Sequence, residues 1–329
     1  SLIMSNNARG FSHLTLNTQK PAITPIGSFE GQLIVGRLQS KEYNELPLPE
    51  RHNKNPWVFT KKDEWRYLNG ITFSYQPKWI PGLFLGGSRV IQNYFDSTKI
   101  QKSYLPIFDN FFREKDQNQH DDGSKDQIAS IFARWVIFPA TSEIYFEYGK
   151  SDASWNLRDF LMSPEHSRAY MVGFTKLINF KSTNQQIEIS LETTHLEKSK
   201  TGTLRAEPSW YRNAELRQGY THKGEILGAG IGPGSNSQNL SVSWINCFKK
   251  VGVLYERVVN NNDFYSRAFD LTDPTGSWVN SSFGILFSWN WDHLLLDSKL
   301  QFVHSDNYQW VRDSDRNNLY LSIRSIYLF

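Results

Sequence analysis

The segment 283–291 reads Phe-Gly-Ile-Leu-Phe-Ser-Trp-Asn-Trp, and every second side chain in it is large and apolar. One face therefore carries Phe283, Ile285, Phe287, Trp289 and Trp291. This period of two is typical of a β-strand, because successive side chains of a strand point to opposite faces. The same alternation recurs at 143–148, 186–194 and 240–244. The sequence therefore predicts half-buried antiparallel strands.

Thirteen strands are predicted on this basis. Many of them are close to the ~9–11 residues of a tilted membrane strand and longer than the ~5–6 residues that are common in globular sheets. Their predicted ranges are 9–17, 28–40, 66–77, 82–94, 127–138, 142–150, 167–180, 185–198, 237–247, 249–259, 280–291, 293–304 and 316–329.

The connections between these strands alternate between short and long, apart from a longer link at 18–27. The long ones are 41–65, 95–126, 151–166, 199–236, 260–279 and 305–315. In a soluble β-sandwich nothing requires all long connections to lie at one end, whereas an outer-membrane barrel has short periplasmic turns and long extracellular loops. The predicted fold class is therefore an all-β, antiparallel transmembrane barrel of the bacterial outer membrane, with its long loops outside the cell.

The alternation also assigns faces to the barrel wall. Four side chains are predicted to face lipid, namely Leu191, Val242, Phe287 and Leu321. Three are predicted to face a wet lumen, namely Glu188, Glu192 and Ser243.

Composition excludes several other classes. The 329 residues carry a net charge of +3, which is too balanced for nucleic-acid binding through bulk electrostatics. No apolar run approaches the ~18 residues of a membrane helix. The single cysteine, Cys247, excludes an intramolecular disulfide framework and a cysteine-rich metal site.

The two ends of the chain carry further information. The last predicted strand places Leu319, Leu321, Ile323, Tyr327 and Phe329 on one face. A closing strand that ends in an aromatic residue resembles the signal that the barrel-assembly machinery reads, and Tyr327 and Phe329 are its candidates. The first residues show no signal peptide, and an odd strand count does not suit a bacterial barrel. We therefore expect residues 1–329 to be a single barrel domain that is incomplete at its N-terminus.

A glycine-rich run at 219–238 lies in the longest loop. Gly228, Gly230, Gly232 and Gly234 recur at every second position, and no βαβ unit surrounds them, so a phosphate-binding loop is not predicted. The residues predicted to shape a tight, buried loop are Gly228, Gly230, Gly232, Pro233 and Gly234. The same loop would present His222, Lys223 and Glu225 at the barrel mouth.

A second run, 147–170, is dense in charged and aromatic residues. Its candidate glycan contacts are Trp155, Arg158, Asp159 and Arg168, because pyranose faces stack on aromatic rings and sugar hydroxyls take bidentate polar partners. Basic groups there would suit an acidic polymer. The alternative interpretation makes Arg158, Asp159, Glu165 and Arg168 a structural salt-bridge cluster.

No enzyme signature is found. Thirty-three acidic residues provide carboxylate pairs by chance, so a glycosidase pair has no specific support. The sequence lacks H-E-x-x-H and Cys-His clustering, and it lacks the G-x-S-x-G elbow. The prediction is a protein without catalytic residues, cofactor or metal.

Three stretches of the sequence resemble the Wzi-type capsule assembly family in the form found in Bacteroidetes-like bacteria. They are 4–13, 156–160 with 164–170, and 222–238, together with the closing Phe329. The resemblance implies an outer-membrane barrel of roughly eighteen strands, with a helical element on the periplasmic side and the role of a surface lectin that holds exported capsular polysaccharide. This chain shows no helical element or first strands. The alternatives left open are a porin or sugar channel and a polysaccharide-modifying enzyme. Outer-membrane lipid, lipopolysaccharide and other envelope proteins are further expected partners.

Overall fold

A single antiparallel sheet dominates the computed structural model, which describes residues 1–40, 64–94, 125–151, 164–180, 184–199, 208–213, 216–269, 274–291 and 293–327. The sheet has fourteen strands, and thirteen of them follow one another as neighbours in chain order. The remaining strand, β2, pairs with β3 alone, and β10 and β11 form a separate hairpin.

The strands are β1 (Ser12–Asn17), β2 (Ala22–Thr24), β3 (Gly27–Leu38), β4 (Arg66–Pro77), β5 (Leu83–Tyr94), β6 (Lys125–Ile137), β7 (Ser142–Ser151), β8 (Arg168–Asn179), β9 (Gln185–His195), β10 (Thr221–His222), β11 (Glu225–Ile226), β12 (Asn236–Asn246), β13 (Lys249–Val259), β14 (Val279–Trp291), β15 (Leu294–Asp306) and β16 (Arg316–Tyr327). One α-helix, α1 (Asn262–Phe269), follows β13. Three short 3₁₀ turns, Phe138–Ala140, Pro274–Gly276 and Tyr308–Trp310, complete the described elements.

The predicted all-β antiparallel fold is confirmed. Each of the thirteen predicted strands is present, with its described ends within three residues of the prediction. Because consecutive strands of the main sheet are antiparallel, the long connections all emerge at one end of the sheet and the tight turns at the other. The sequence analysis missed β2, which explains the long link at 18–27, and it missed the hairpin of β10 and β11.

The outer face of the sheet is apolar. Strand register aligns one row of Leu191, Leu240, Tyr255, Phe283, Phe302 and Leu319, and a second row of Ile189, Val242, Val253, Ile285, Leu300 and Leu321. Most of these side chains are exposed, including Leu321 at 60%. A polar row of Thr193, Gln238, Arg257, Ser281, His304 and Asn317 borders them toward the long loops. This band is the surface expected of a lipid-facing wall.

The inner face is polar, but part of it is dry. Lys250 Nζ lies 2.7 Å from a Glu188 oxygen, and the Tyr145 hydroxyl donates to Glu192 at 2.5 Å. Ser243 also faces inward but is only 1% exposed. Its hydroxyl packs on Gly252, where a Cβ would lie 2.1 Å from the Ser243 Oγ. The expectation of a wet lumen is therefore wrong at Ser243, whose side chain lies against Gly252 of the next strand and is almost fully shielded from solvent.

Among the described residues no ladder joins β1 to β16, so these strands are the two edges of the sheet. No helix in the described ranges is long and apolar enough to cross a membrane.

Candidate functional site

The inner side of the sheet is filled by the chain itself. Two segments supply the filling: residues 1–11, and the part of the long loop at 208–235 that the structure describes. The loop contributes Trp210, Tyr211, Tyr220 and Leu227, and the N-terminal segment contributes Leu2 and Ile3. These side chains pack against wall residues Leu38, Leu68, Val90, Ile128, Ala169, Met171 and Leu196. We call these two segments the luminal segments.

The N-terminal segment runs beside the glycine-rich loop. The Leu2 N–H donates to the Glu147 carboxylate at 2.9 Å, and Glu147 is 6% exposed. Farther along, the Ser5 N–H donates to the Leu227 carbonyl at 2.8 Å, and the Ser5 hydroxyl donates to the Gly228 carbonyl at 2.6 Å. These bonds satisfy backbone groups that would otherwise be buried without partners.

Tyr211 joins the two luminal segments. Its hydroxyl donates to the Leu2 carbonyl at 2.7 Å and accepts from the Ala229 N–H at 2.9 Å. Its ring lies 5.9 Å from the ring of Tyr220, nearly parallel to it. Burial raises the pKa of both phenols, so both are neutral. The Tyr211 hydroxyl is a hydrogen-bonding group, whereas the buried Tyr220 hydroxyl has no hydrogen-bond partner among the described residues.

A buried arginine at the start of β4 fixes the loop to the wall. Arg66 is fully buried, and its guanidinium donates to the Gly219 carbonyl, to the Thr221 carbonyl at 2.6 Å and to the Gln92 amide oxygen at 2.9 Å. Gln92 in turn donates to Asp126 at 2.6 Å. Sequence reasoning missed Arg66, because one arginine beside a loop gives no pattern that distinguishes it from a surface residue.

The predicted residues His222, Lys223 and Glu225 lie on the hairpin of β10 and β11. Lys223 and Gly224 both have positive φ, +49° and +82°, as a two-residue type I′ turn requires. The Lys223 N–H donates to the Gln39 carbonyl at 2.8 Å, so the hairpin is attached to the end of β3. The Lys223-Gly224 pair, which lies between two short extended segments, is a local sequence signal that could have predicted this hairpin.

Of these three side chains, His222 points inward. It is 2% exposed, and its Nδ1 accepts from the Gln39 N–H at 3.1 Å. Burial lowers the pKa of His222, and the nearby Lys223 and Arg66 lower it further, against an opposing effect of Glu225. The ring is therefore neutral and protonated on Nε2, in a structural position. Lys223 is exposed, and Glu225 pairs with Arg9 at 3.6 Å.

The glycine run lies against the other elements at close range. At Gly228 a Cβ would lie 2.3 Å from the Leu2 carbonyl oxygen, so a side chain there would displace the N-terminal segment. At Gly234 φ is +61°, and a Cβ would lie 2.7 Å from the Asp263 Cβ at the start of α1. The remaining members are Gly230, which lies beside Asn7, and Gly232 and Pro233, which precede Gly234 in the same segment.

The second run is only partly described. Trp155, Arg158 and Asp159 lie outside the described residues. Arg168 Nε donates to Glu165 at 2.6 Å, and its guanidinium lies 5.4 Å from the centre of the Tyr170 ring.

Arg168 does not share a surface with the hairpin. Its neighbour Ala169 belongs to the inner core, so the alternation of β8 places Arg168 on the outer face. Its contacts with Glu165 and Tyr170 fit the alternative interpretation, in which Arg168 belongs to a structural salt-bridge cluster. At the end of the chain, Tyr327 is 59% exposed on β16, and Phe329 lies outside the described residues.

An antiparallel meander with an apolar outer face and an inner face packed on its own loops defines the wall of a membrane-type β-barrel. The chain belongs to the family described as capsule assembly protein Wzi, whose model matches residues 1–318. No curated protein matches the sequence.

One similar solved structure is the Escherichia coli protein Wzi, described as an outer membrane protein involved in group 1 capsule assembly and as a carbohydrate-binding β-barrel. The TM-score is 0.65 at 15% sequence identity, which shows a common fold. The match covers 99% of this chain and 63% of the length of the Escherichia coli protein.

Proposed function

We propose that this chain is part of a non-enzymatic outer-membrane barrel that binds exported surface polysaccharide and keeps it at the cell. Family membership supports a role in capsule assembly, and the solved structure with the same fold is described as carbohydrate-binding. The exposed apolar rows support a location in the outer membrane, with the long loops outside.

The observation that carries the proposal is the packed lumen. Trp210 and Tyr220 are 1% and 0% exposed on the inner side of the wall, where an open channel would have water. The filling is also specific, because Tyr211 and Arg66 bond it to both the N-terminal segment and the wall. A porin needs a continuous aqueous path, and this packing favours a binding protein over a channel.

The glycan contacts proposed at the luminal hairpin are Lys223 and Glu225, which have accessible charged groups, with His222 as the residue that fixes the hairpin. Trp155, Arg158 and Asp159 remain proposed contacts of the neighbouring loop, whereas Arg168, which lies on the outer face against Glu165 and Tyr170, is assigned to the structural alternative. An acidic polymer would suit the basic members of this set. Lipopolysaccharide around the apolar band, the barrel-assembly machinery at Tyr327 and Phe329, and other envelope proteins are proposed as further partners.

Gene deletion and complementation in the source bacterium test this proposal. The deletion strain should release surface polysaccharide into the medium, and the wild-type gene should restore retention on the cell. Retention that is unchanged by deletion would contradict the proposal.

Two further measurements separate the alternatives. The purified protein should give no large steady current in planar bilayers, and such a current would favour the channel. Incubation with the extracted polysaccharide should release no reducing ends, and their release would favour an enzyme.

A further inference from the structure

Four aromatic rings gather at the end of the sheet where the long connections emerge, away from the residues discussed so far. They are Phe264 of α1, Trp278 before β14, and Tyr308 and Trp310 between β15 and β16, and we call them the rim cage. Trp310 lies 4.7 Å from Phe264 and 5.2 Å from Trp278, centre to centre, and Trp278 lies 5.2 Å from Tyr308. Three separate segments thus bring their rings to one place.

The rim cage belongs to the mouth and not to the lipid-facing surface. The Trp278 indole N–H donates to the Asn280 amide oxygen at 2.8 Å. The same oxygen accepts from the Ser305 hydroxyl at 2.7 Å, and Ser305 is 7% exposed on the inner face. The outward positions of this region are held instead by His304 and Asp306, which alternate with Ser305 along β15. An aromatic girdle at the membrane interface would point the other way.

The rings are held rigidly in place. The Trp310 indole N–H donates to the Asn260 carbonyl at 3.2 Å, and the Asn307 side chain donates to the Thr275 and Ser277 carbonyls at 2.9 and 3.2 Å. The connection between β15 and β16 also holds four non-glycine residues at positive φ: Asn307, Gln309, Trp310 and Asp313. Such backbone conformations are concentrated at ligand-binding sites, where the surrounding contacts enforce them.

The rim cage remains accessible although it is fixed. Tyr308 is 36% exposed, and Trp278 and Trp310 are half-buried. Amide side chains adjoin the rings: the Asn280 amide oxygen accepts from the Trp278 indole N–H at 2.8 Å, and Asn307 immediately precedes Tyr308. Aromatic faces flanked by amide groups match the chemistry of a pyranose, which has apolar C–H faces and a polar edge.

We propose that the rim cage is a saccharide-stacking subsite that holds pyranose rings of the surface polysaccharide against Tyr308, Trp278 and Trp310. This inference rests on the proposed glycan-binding function and names where one part of the polymer docks. The subsite is distinct from the hairpin at Lys223.

The test uses the purified full chain and oligosaccharides cut from surface polysaccharide of the source bacterium. Tyr308→Ala should weaken binding about tenfold, the loss expected for one stacked ring, whereas Tyr308→Phe should bind within about twofold of wild type because it keeps the ring. Phe248→Ala is the matched control, since Phe248 is 73% exposed in the turn at the opposite end of the sheet, and it should leave binding unchanged.

A footprinting experiment on the wild-type protein tests the same inference without relying on a variant that folds. Bound oligosaccharide should protect Trp278 and Trp310 from oxidation, as mapped by mass spectrometry, relative to Trp289. Unchanged oxidation of both, or a Tyr308→Ala protein that binds like wild type, overturns the subsite while the binding function stands. A wild-type protein that binds no oligosaccharide overturns both the subsite and the function.

Discussion

Replacement of Arg66 by methionine should release the luminal loop from the wall. Methionine keeps an unbranched apolar stem in the fully buried position but removes the guanidinium. The carbonyls of Gly219 and Thr221 and the Gln92 amide oxygen then lose their donor. Each unsatisfied buried acceptor costs ~1–3 kcal/mol, and removal of one buried charged partner typically costs ~3–5 kcal/mol in total. The open form of the loop should therefore rise about 150- to 4,000-fold in population.

Limited proteolysis of the folded barrel measures this release. The expected result for R66M is faster cleavage within 208–235, while heat-modifiable migration on gels still reports a folded wall. The matched control is R134M, because Arg134 pairs with Glu143 at 2.8 Å but is 54% exposed, and exposed pairs contribute at most ~1 kcal/mol. Equal cleavage rates in R66M and R134M would refute the assignment of Arg66 as the anchor of the loop.

Three further predictions follow from the wall, the hairpin and the helix contact. Val242→Arg should cost ~2–4 kcal/mol of folding stability in lipid, measured by urea unfolding in vesicles, and Ser241→Arg on the inner face should cost less; equal losses would contradict the lipid assignment of Val242. Because the pKa of His222 is lowered below its ordinary 6.5, the native state binds fewer protons there than the unfolded state, so loop docking should weaken as the pH falls below 6.5 through the folded pKa. Hydrogen exchange in the hairpin should show this weakening, and His222→Gln should abolish it. Gly234→Ala should increase exchange in α1 more than Gly232→Ala does, since both have positive φ but only the former places a Cβ 2.7 Å from the Asp263 Cβ; equal exchange would mean that α1 does not depend on this contact.

The wall could be predicted from the sequence because its physical constraint is local. A strand between lipid and an inner face must alternate its side chains, and that alternation is visible at 283–291 without any other information. The same argument located Val242 and Leu321 on the outer face, where the structure has them at 37% and 60% exposure.

The luminal filling could not be predicted, because its constraint is not local. Leu2 meets Tyr211 across 209 positions of sequence, and Ser5 meets Gly228 across 223. In each pair, the local sequence around one residue does not identify its distant contact partner. Ser243 shows the same limit: its inward orientation follows from alternation, but its dryness depends on Gly252 of the next strand.

The luminal loop and the rim cage are connected through α1, so a displacement of the loop affects the rings at the rim. The luminal loop ends at Gly234 and Ser235, where the Gly234 carbonyl accepts from Asn262 at 2.7 Å and the Ser235 hydroxyl accepts from the Asn261 N–H at 2.9 Å. These bonds position the start of α1, and α1 carries Phe264 to the cage. Displacing the loop to open the lumen would therefore remove support from the aromatic rings at the mouth. Under the proposed function, opening the centre for transport would also disturb the rim cage, because the contacts that pack the luminal loop also position α1 and its Phe264.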